Sequence, residues 1–196
     1  MNRLSALLLS LCALMVTACQ AAPAVEAPLK GATMGGAFTL TSHEGRRVSD
    51  RDFAGRYRLV YFGYSFCPDV CPVDLQTVSA GLRAFEAEDS ERAEKVQPIF
   101  ITVDPRRDTV EALARYKSNF HPRLVALTGS EEEIAQTARA FAISYQAREP
   151  ATAGGEYLID HVRLVVLYGP QGEPIAIIPH DQGPAGVATE LGKWVQ

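Results

Sequence analysis

The sequence predicts an α/β fold, a three-layer α/β sandwich with an N-terminal β-hairpin extension. Three observations carry that expectation. Two continuously apolar runs, Leu59-Val60-Tyr61-Phe62 and Pro98-Ile99-Phe100-Ile101-Thr102-Val103, read as central strands buried on both faces. Segments with helical periodicity separate these runs from one another and from later strands, as crossover connections require. Near the C-terminus, residues 162–168 and 175–178 pair across Gly169-Pro170-Gln171-Gly172 as a hairpin.

The chain has 196 residues, enough for one domain and a leader. Apolar residues make up 47% and charged residues 21%, ordinary values for a globular protein. A formal net charge of −4 argues against a general nucleic-acid binder. No internal repeat at solenoid or propeller spacing is present.

Residues 1–18 read as a signal peptide of lipoprotein type. Arg3 supplies the positive n-region, and an apolar stretch from Leu4 to Val16 is too short for a membrane span of about 20 residues. The stretch ends in Val16-Thr17-Ala18-Cys19, and small residues before a cysteine resemble a bacterial lipobox, which makes Cys19 the lipidated new N-terminus. Ordinary cleavage near Ala18 or Ala22, or an uncleaved anchor, is the alternative. Residues 19–35, rich in Ala and Pro up to Lys30, read as a flexible tether. Residues 36–196 form the domain. Either leader places it outside the cytoplasm, membrane-anchored and facing the periplasm or extracytoplasmic space, where disulfides are permitted. Cys12 is lost with the leader, so Cys67 and Cys71 have only each other, a metal or a partner's thiol.

In chain order, Phe38-Thr39-Leu40-Thr41 alternates like a strand, His43-Glu44-Gly45-Arg46 turns, and Val48 begins the return. The first buried run follows. Leu75, Val78, Leu82 and Phe85 then mark one face of a helix. After the second buried run, Asp108-Thr109-Val110-Glu111 reads as a helix start capped at Asp108, and Pro122 stops that helix. Residues 124–127 form a short strand. Ser130 and Glu133 make a capping box for a helix whose face is Ile134, Ala138, Phe141 and Ala142. Residues 147–156, with Pro150 and Gly154-Gly155, read as a mobile loop, and Val187, Leu191 and Trp194 mark a closing helix.

The chemistry concentrates in Tyr61-Phe62-Gly63-Tyr64-Ser65-Phe66-Cys67-Pro68-Asp69-Val70-Cys71-Pro72. A cysteine pair between the first buried strand and its helix is the arrangement of thioredoxin-like proteins. Pro72 lacks an N–H and suits the first helical position, which makes Cys71 the cap and puts both thiols at a helix N-terminus, where a thiolate is favoured. A thiolate serves as nucleophile and as metal ligand. Three residues separate the cysteines, where the usual disulfide oxidoreductases have two. A structural zinc site normally needs four Cys/His ligands, and only two cysteines and scattered histidines are available, whereas soft thiolates in small number suit Cu(I). An inert structural disulfide stays open as a third reading.

Residues 62–72 resemble the signature of the Sco/SenC family of copper-binding, thioredoxin-fold proteins. Thr102-Val103-Asp104-Pro105-Arg106-Arg107-Asp108-Thr109, Leu127-Thr128-Gly129-Ser130 and Tyr157-Leu158-Ile159-Asp160-His161 match in order, and the likeness runs from about Phe38 to Trp194. The resemblance implies copper as the metal, with Cys67, Cys71 and His161 as its ligands. Asp160 is expected to orient His161 from behind, and Asp69, between the cysteines, to tune or shield them. His161 is expected to open a buried strand directly after the mobile loop, so that its ring swings onto the thiolates. Phe66 stands where the family often has a polar residue, and Val162 where serine is common; neither change removes a ligand.

The remaining polar residues have structural readings: His43 in an exposed turn, His121 at a helix end, His180 at the surface, Asp104, Arg106 and Arg107 bracing a loop beneath the site, and residues 131–133 as a helix-start charge run. The function implied is a copper metallochaperone that assists assembly of the copper centre of cytochrome c oxidase, with subunit II of that enzyme as the copper-receiving partner. Its alternative is a thiol–disulfide oxidoreductase in which Cys67 and Cys71 act on an exported, disulfide-containing partner.

Overall fold

The computed structural model describes residues 26–150 and 156–196. The leader, Cys19 and part of the expected mobile loop therefore lie outside the described residues. Seven strands form one sheet: β1 (Thr39–Ser42), β2 (Arg47–Ser49), β3 (Tyr57–Gly63), β4 (Val96–Thr102), β5 (Val125–Thr128), β8 (Val165–Tyr168) and β9 (Pro174–Ile177), in the order β2-β1-β5-β4-β3-β8-β9. Strands β6 (Tyr145–Arg148) and β7 (Leu158–His161) make a separate antiparallel pair.

The two apolar runs occupy the middle of the large sheet. Every residue of β3 and β4 is buried, and the two run parallel with Tyr61 beside Phe100. Consecutive strand residues face opposite layers. Tyr61 and Phe100 point toward helices α1 (Val70–Glu88) and α3 (Val110–Lys117), reaching Asp74 and Tyr116 respectively. Phe62 points the other way, onto Phe141 at the end of α4 (Glu131–Ala140). A short helix, α2 (Ser90–Glu94), follows α1, and α5 (Gly183–Trp194) closes the chain against α1. The expected face of α1 is buried at all four positions, Leu75, Val78, Leu82 and Phe85. A Cβ at Gly81 would lie 2.4 Å from Val187 Cβ, so glycine is what lets α1 and α5 approach.

The expected N-terminal hairpin is present, and β1 also pairs with β5, which puts β2 at one edge of the main sheet. Several local expectations are corrected. Thr109, not Asp108, caps α3 by accepting the Ala112 N–H at 3.2 Å, which frees the Asp108 carboxylate for another role. The Ser130–Glu133 capping box forms as read, but α4 stops at Ala140. Ala142, at φ 56°, then reverses the chain and is exposed. Residues 147 and 148 belong to β6 instead of a loop. Within the stretch read as a tether, Leu29 donates its N–H to the Ile175 carbonyl at 3.0 Å, and Leu29 and Met34 pack on the core. Only the part before them is left to the tether reading. Among the described residues no helix is long and apolar enough to cross a membrane.

Candidate metal centre

The cysteine loop leaves β3 at Gly63 and enters α1. Space is tight there: a Cβ on Gly63 would sit 3.0 Å from Tyr61 Cε1 and 3.1 Å from both Cys71 Sγ and Phe100 Cε2, so a larger residue would press on the site. The helix starts earlier than the proline suggested, with Asp69 as N-cap and Val70 as the first residue. Pro72 is accommodated because the first N–H groups of a helix have no intrahelical acceptor to lose. Cys71 thus lies inside the first turn and donates its N–H to Cys67 Sγ at 3.4 Å.

The two thiols are unlike. Cys67 is 9% exposed and Cys71 fully buried, and no disulfide joins them. Burial alone would raise the Cys67 thiol, but the N–H groups of Cys71, Asp69 and Val70 and the Cys71 thiol outweigh it and hold Cys67 below the ordinary thiol value. Burial pushes Cys71 up to about 12, and the neighbouring Cys67 adds to the rise. One thiol is primed as a thiolate while the other keeps its proton.

His161 completes the group from the opposite side. It is the last residue of β7, not the first of a buried strand; the buried strand β8 begins at Val165. Its Nε2 lies 3.2 Å from Cys71 Sγ, and its Nδ1 is 3.2 Å from the Val162 carbonyl oxygen. Burial lowers the imidazole pKa, so the ring is neutral near pH 7. The carbonyl assigns the proton to Nδ1 and leaves the Nε2 lone pair facing the Cys71 S–H. Tyr61 and Tyr64 hold the ring edge-on, with centroids at 6.2 and 6.1 Å.

Asp160 does not orient this ring. It is exposed and pairs with Arg148 across the β6–β7 hairpin, so the carbonyl of Val162 takes the place expected for a carboxylate. The Asp69 side chain is also exposed and makes no capping bond; that residue acts on Cys67 through its N–H.

Other residues support the loop. Asp108, buried between the loop and β4, accepts from the Ser65 N–H at 3.0 Å, from the Ser65 hydroxyl and from Thr102 Oγ1 at 2.6 Å. Arg107 lies 3.7 Å from the Tyr157 ring centroid and 4.9 Å from that of Phe66, and donates to Asp104, which also accepts the Tyr157 hydroxyl at 2.7 Å. Asp104 and Arg107 thus brace the site as expected, while Arg106 pairs with Glu131 at the surface. Phe66 is 43% exposed beside Cys67. His43 is half-buried and accepts the Ala126 N–H, and His121 is buried against Glu86. His180 corrects its surface reading: its side chain is 10% exposed and Nε2 lies 3.5 Å from Asp74.

Sequence reasoning missed Asp74 and Arg163. Asp74 is buried and accepts from Tyr61 Oη at 2.8 Å and from Arg163 Nε and Nη2 at 2.9 and 2.6 Å. Burial opposes its ionisation, yet His180, Arg163 and Tyr61 together hold the carboxylate well below its usual range. An acid three residues past Cys71, on the helix's buried face, was the available signal.

Among the described residues no group of three or more His, Cys, Asp or Glu side chains stands as a ready-made metal cage. A metal bonded at about 2.3 Å to sulfur and about 2.0 Å to imidazole nitrogen holds the donors roughly 3.5 Å apart. The 3.2 Å contact between Cys71 and His161 is close to that spacing. The donor set, two sulfurs and one neutral imidazole, suits a soft ion.

The strand–loop–helix dithiol on a central mixed sheet defines a protein of the thioredoxin-like class. Within that class the chain belongs to the SCO1/SenC family, whose family model matches residues 26–196. It is 45% identical over 147 residues to the mitochondrial protein SCO2 homolog of Bos taurus, covering 75% of this chain and 54% of that one. Against the mitochondrial protein SCO1 homolog of Homo sapiens it is 42% identical over 141 residues, covering 71% and 46%. The chain spans about half the length of the curated relatives it matches. Bradyrhizobium japonicum ScoI with copper bound superposes with a TM-score of 0.74 at 35% identity, covering 82% of this chain and 99% of that structure.

The unlike thiols make a direct prediction. Limiting iodoacetamide near pH 7 alkylates the reduced protein first at Cys67, as read by peptide mapping, because Cys67 forms thiolate at lower pH while Cys71 stays protonated. Equal labelling, or labelling of Cys71 first, contradicts the assignment.

Proposed function

We propose that this protein is a copper metallochaperone that holds the ion with Cys67, Cys71 and His161 and passes it to an exported partner. The observation that carries the reading is the Nε2 lone pair of His161, set 3.2 Å from Cys71 Sγ by a hydrogen bond on the far side of the ring. Copper bound to ScoI of Bradyrhizobium japonicum, at 35% identity, supports the choice of metal. Cys67 offers a thiolate first, at the more exposed edge of the site. Cys71 follows by releasing its proton, so loading strengthens as pH rises through the neutral range. Transfer proceeds by ligand exchange with cysteines of the partner. The acceptor is the copper centre of cytochrome c oxidase, in its subunit II.

The asymmetry of the thiols favours one second reading. Cys67 as thiolate attacks a partner disulfide to form a mixed disulfide; Cys71, once deprotonated, attacks Cys67 Sγ and releases the partner's second thiol. The partner is reduced by two electrons and Cys67–Cys71 becomes a disulfide. This is the expected chemistry of a thiol–disulfide oxidoreductase acting on the same class of exported protein.

Titration of the reduced protein with Cu(I) against a competing chelator tests the first reading. Wild type binds one ion, Cys67→Ser and Cys71→Ser abolish tight binding, and His161→Ala weakens it by roughly tenfold or more, at least the loss seen for an outer partner of a metal ligand. Equal affinity for wild type and His161→Ala contradicts the three-ligand site; rapid disulfide reduction with no tight copper binding favours the oxidoreductase.

The domain works at a membrane surface outside the cytoplasm, tethered through a lipid on Cys19. Mass spectrometry of protein from the membrane fraction is expected to find a chain beginning at a lipid-modified Cys19. A mature N-terminus at another residue, without lipid, contradicts this.

A further inference from the structure

Cys71 and Asp74 are three residues apart on α1 and therefore share a helix face. His161 and Arg163, two residues apart, meet that face at consecutive contacts. His161 Nε2 touches Cys71 Sγ at 3.2 Å, and Arg163 grips Asp74 through Nε at 2.9 Å and Nη2 at 2.6 Å. The second contact is built for geometry. A guanidinium bonded to a carboxylate through two nitrogens fixes direction as well as distance. The Asp74 side chain is 4% exposed, while that of Arg163 is 46% exposed, so the arginine reaches in from the surface to pair a buried charge. A buried carboxylate is costly unless paired. Tyr61 ties the two contacts together: its hydroxyl donates to Asp74 at 2.8 Å and its ring packs edge-on against His161. Residues 162–164 carry no strand of their own; the Val162 N–H donates to the Ser144 carbonyl at 3.1 Å, and on the α1 side the link is held at Arg163.

We infer that Asp74 and Arg163 are positioning residues for the metal site: their ion pair latches the segment after β7 onto α1 and thereby sets the reach of His161 onto Cys71. This rests on the copper reading of the site. The pair touches no metal ligand's donor atom and acts through the backbone between His161 and Arg163 and through Tyr61. Freed of the latch, the segment carrying His161 loses its second anchor on α1, and the imidazole is no longer preset beside the thiols.

A double-mutant cycle reads this role. Cu(I) affinity is measured by chelator competition for Arg163→Ala and Asp74→Asn, each in the His161 background and in the His161→Ala background, with melting temperatures recorded in parallel. In the His161 background each substitution weakens binding by about 10- to 100-fold, the range seen when an outer partner of a metal ligand is removed. In the His161→Ala background each changes it less than about threefold, because the latch then has no ligand to position. Losses equal in the two backgrounds, or a fall in melting temperature with unchanged affinity, overturn the inference and leave the pair as a packing feature. Arg163→Ala keeps the test open should Asp74→Asn fail to fold, since the arginine is half-exposed. Failure of the copper reading is separately visible, as wild type and His161→Ala would then bind alike.

Discussion

A 3.2 Å contact between Cys71 Sγ and His161 Nε2 joins parts of the chain 90 residues apart. Each side of it depends on a different part of the fold. The sulfur is placed by β3 and α1, where Gly63 leaves room for it and the first turn of the helix carries it inward. The imidazole is placed by β7, a strand outside the main sheet, and by the Val162 carbonyl that fixes its tautomer. The rest of the molecule keeps these two approaches in register. β3 is fully buried between β4 and β8, and α5 clamps α1 at Gly81, so the sulfur side is rigid. The histidine side is held by fewer elements.

That difference fits the function proposed above, in which an ion is taken up and given away. The thiol pair is held at the N-terminal turn of α1. Cys67, 9% exposed, is the more accessible of the two sulfurs, and Cys71 is fully buried. The β7 side is braced by polar and aromatic contacts: Arg107 against Tyr157 and Phe66, Asp104 with the Tyr157 hydroxyl, and the Ile159 N–H donating to Tyr64 Oη at 3.2 Å. Such contacts tie the histidine segment to the cysteine loop, so that one arrangement serves both halves of the site.

The sequence made the sulfur side legible and the imidazole side only partly so. Local pattern carries β3, α1, the Ser130–Glu133 box and the cysteine loop, since each is specified by neighbours within a few residues. The family likeness picked out His161 although its element was misread. A four-residue strand such as β7 has too little pattern to separate it from β8, and Pro150 with the paired glycines suggests loop where β6 ends. Asp160 illustrates the limit most sharply. Beside a presumed ligand it looked like an orienting carboxylate, yet alternation along β7 turns it outward to Arg148. The residues that bear on the histidine from behind, Asp74, Arg163 and Val162 through its carbonyl, are unremarkable in sequence, because their roles arise only when α1 and the β7–β8 link meet. Asp108 was likewise legible as a polar residue at a helix start, but its partner is Ser65, 43 residues earlier.

In the proposed site, two sulfurs from one loop and one imidazole from a separate strand close on a single copper ion. X-ray absorption at the copper edge of the Cu(I)-loaded protein tests it most directly, because it counts the atoms bonded to the metal by type. The account predicts two sulfurs and one nitrogen in the first shell of the wild-type protein, with the nitrogen absent from His161→Ala. A first shell of sulfur alone in the wild type, or one unchanged by His161→Ala, would contradict it.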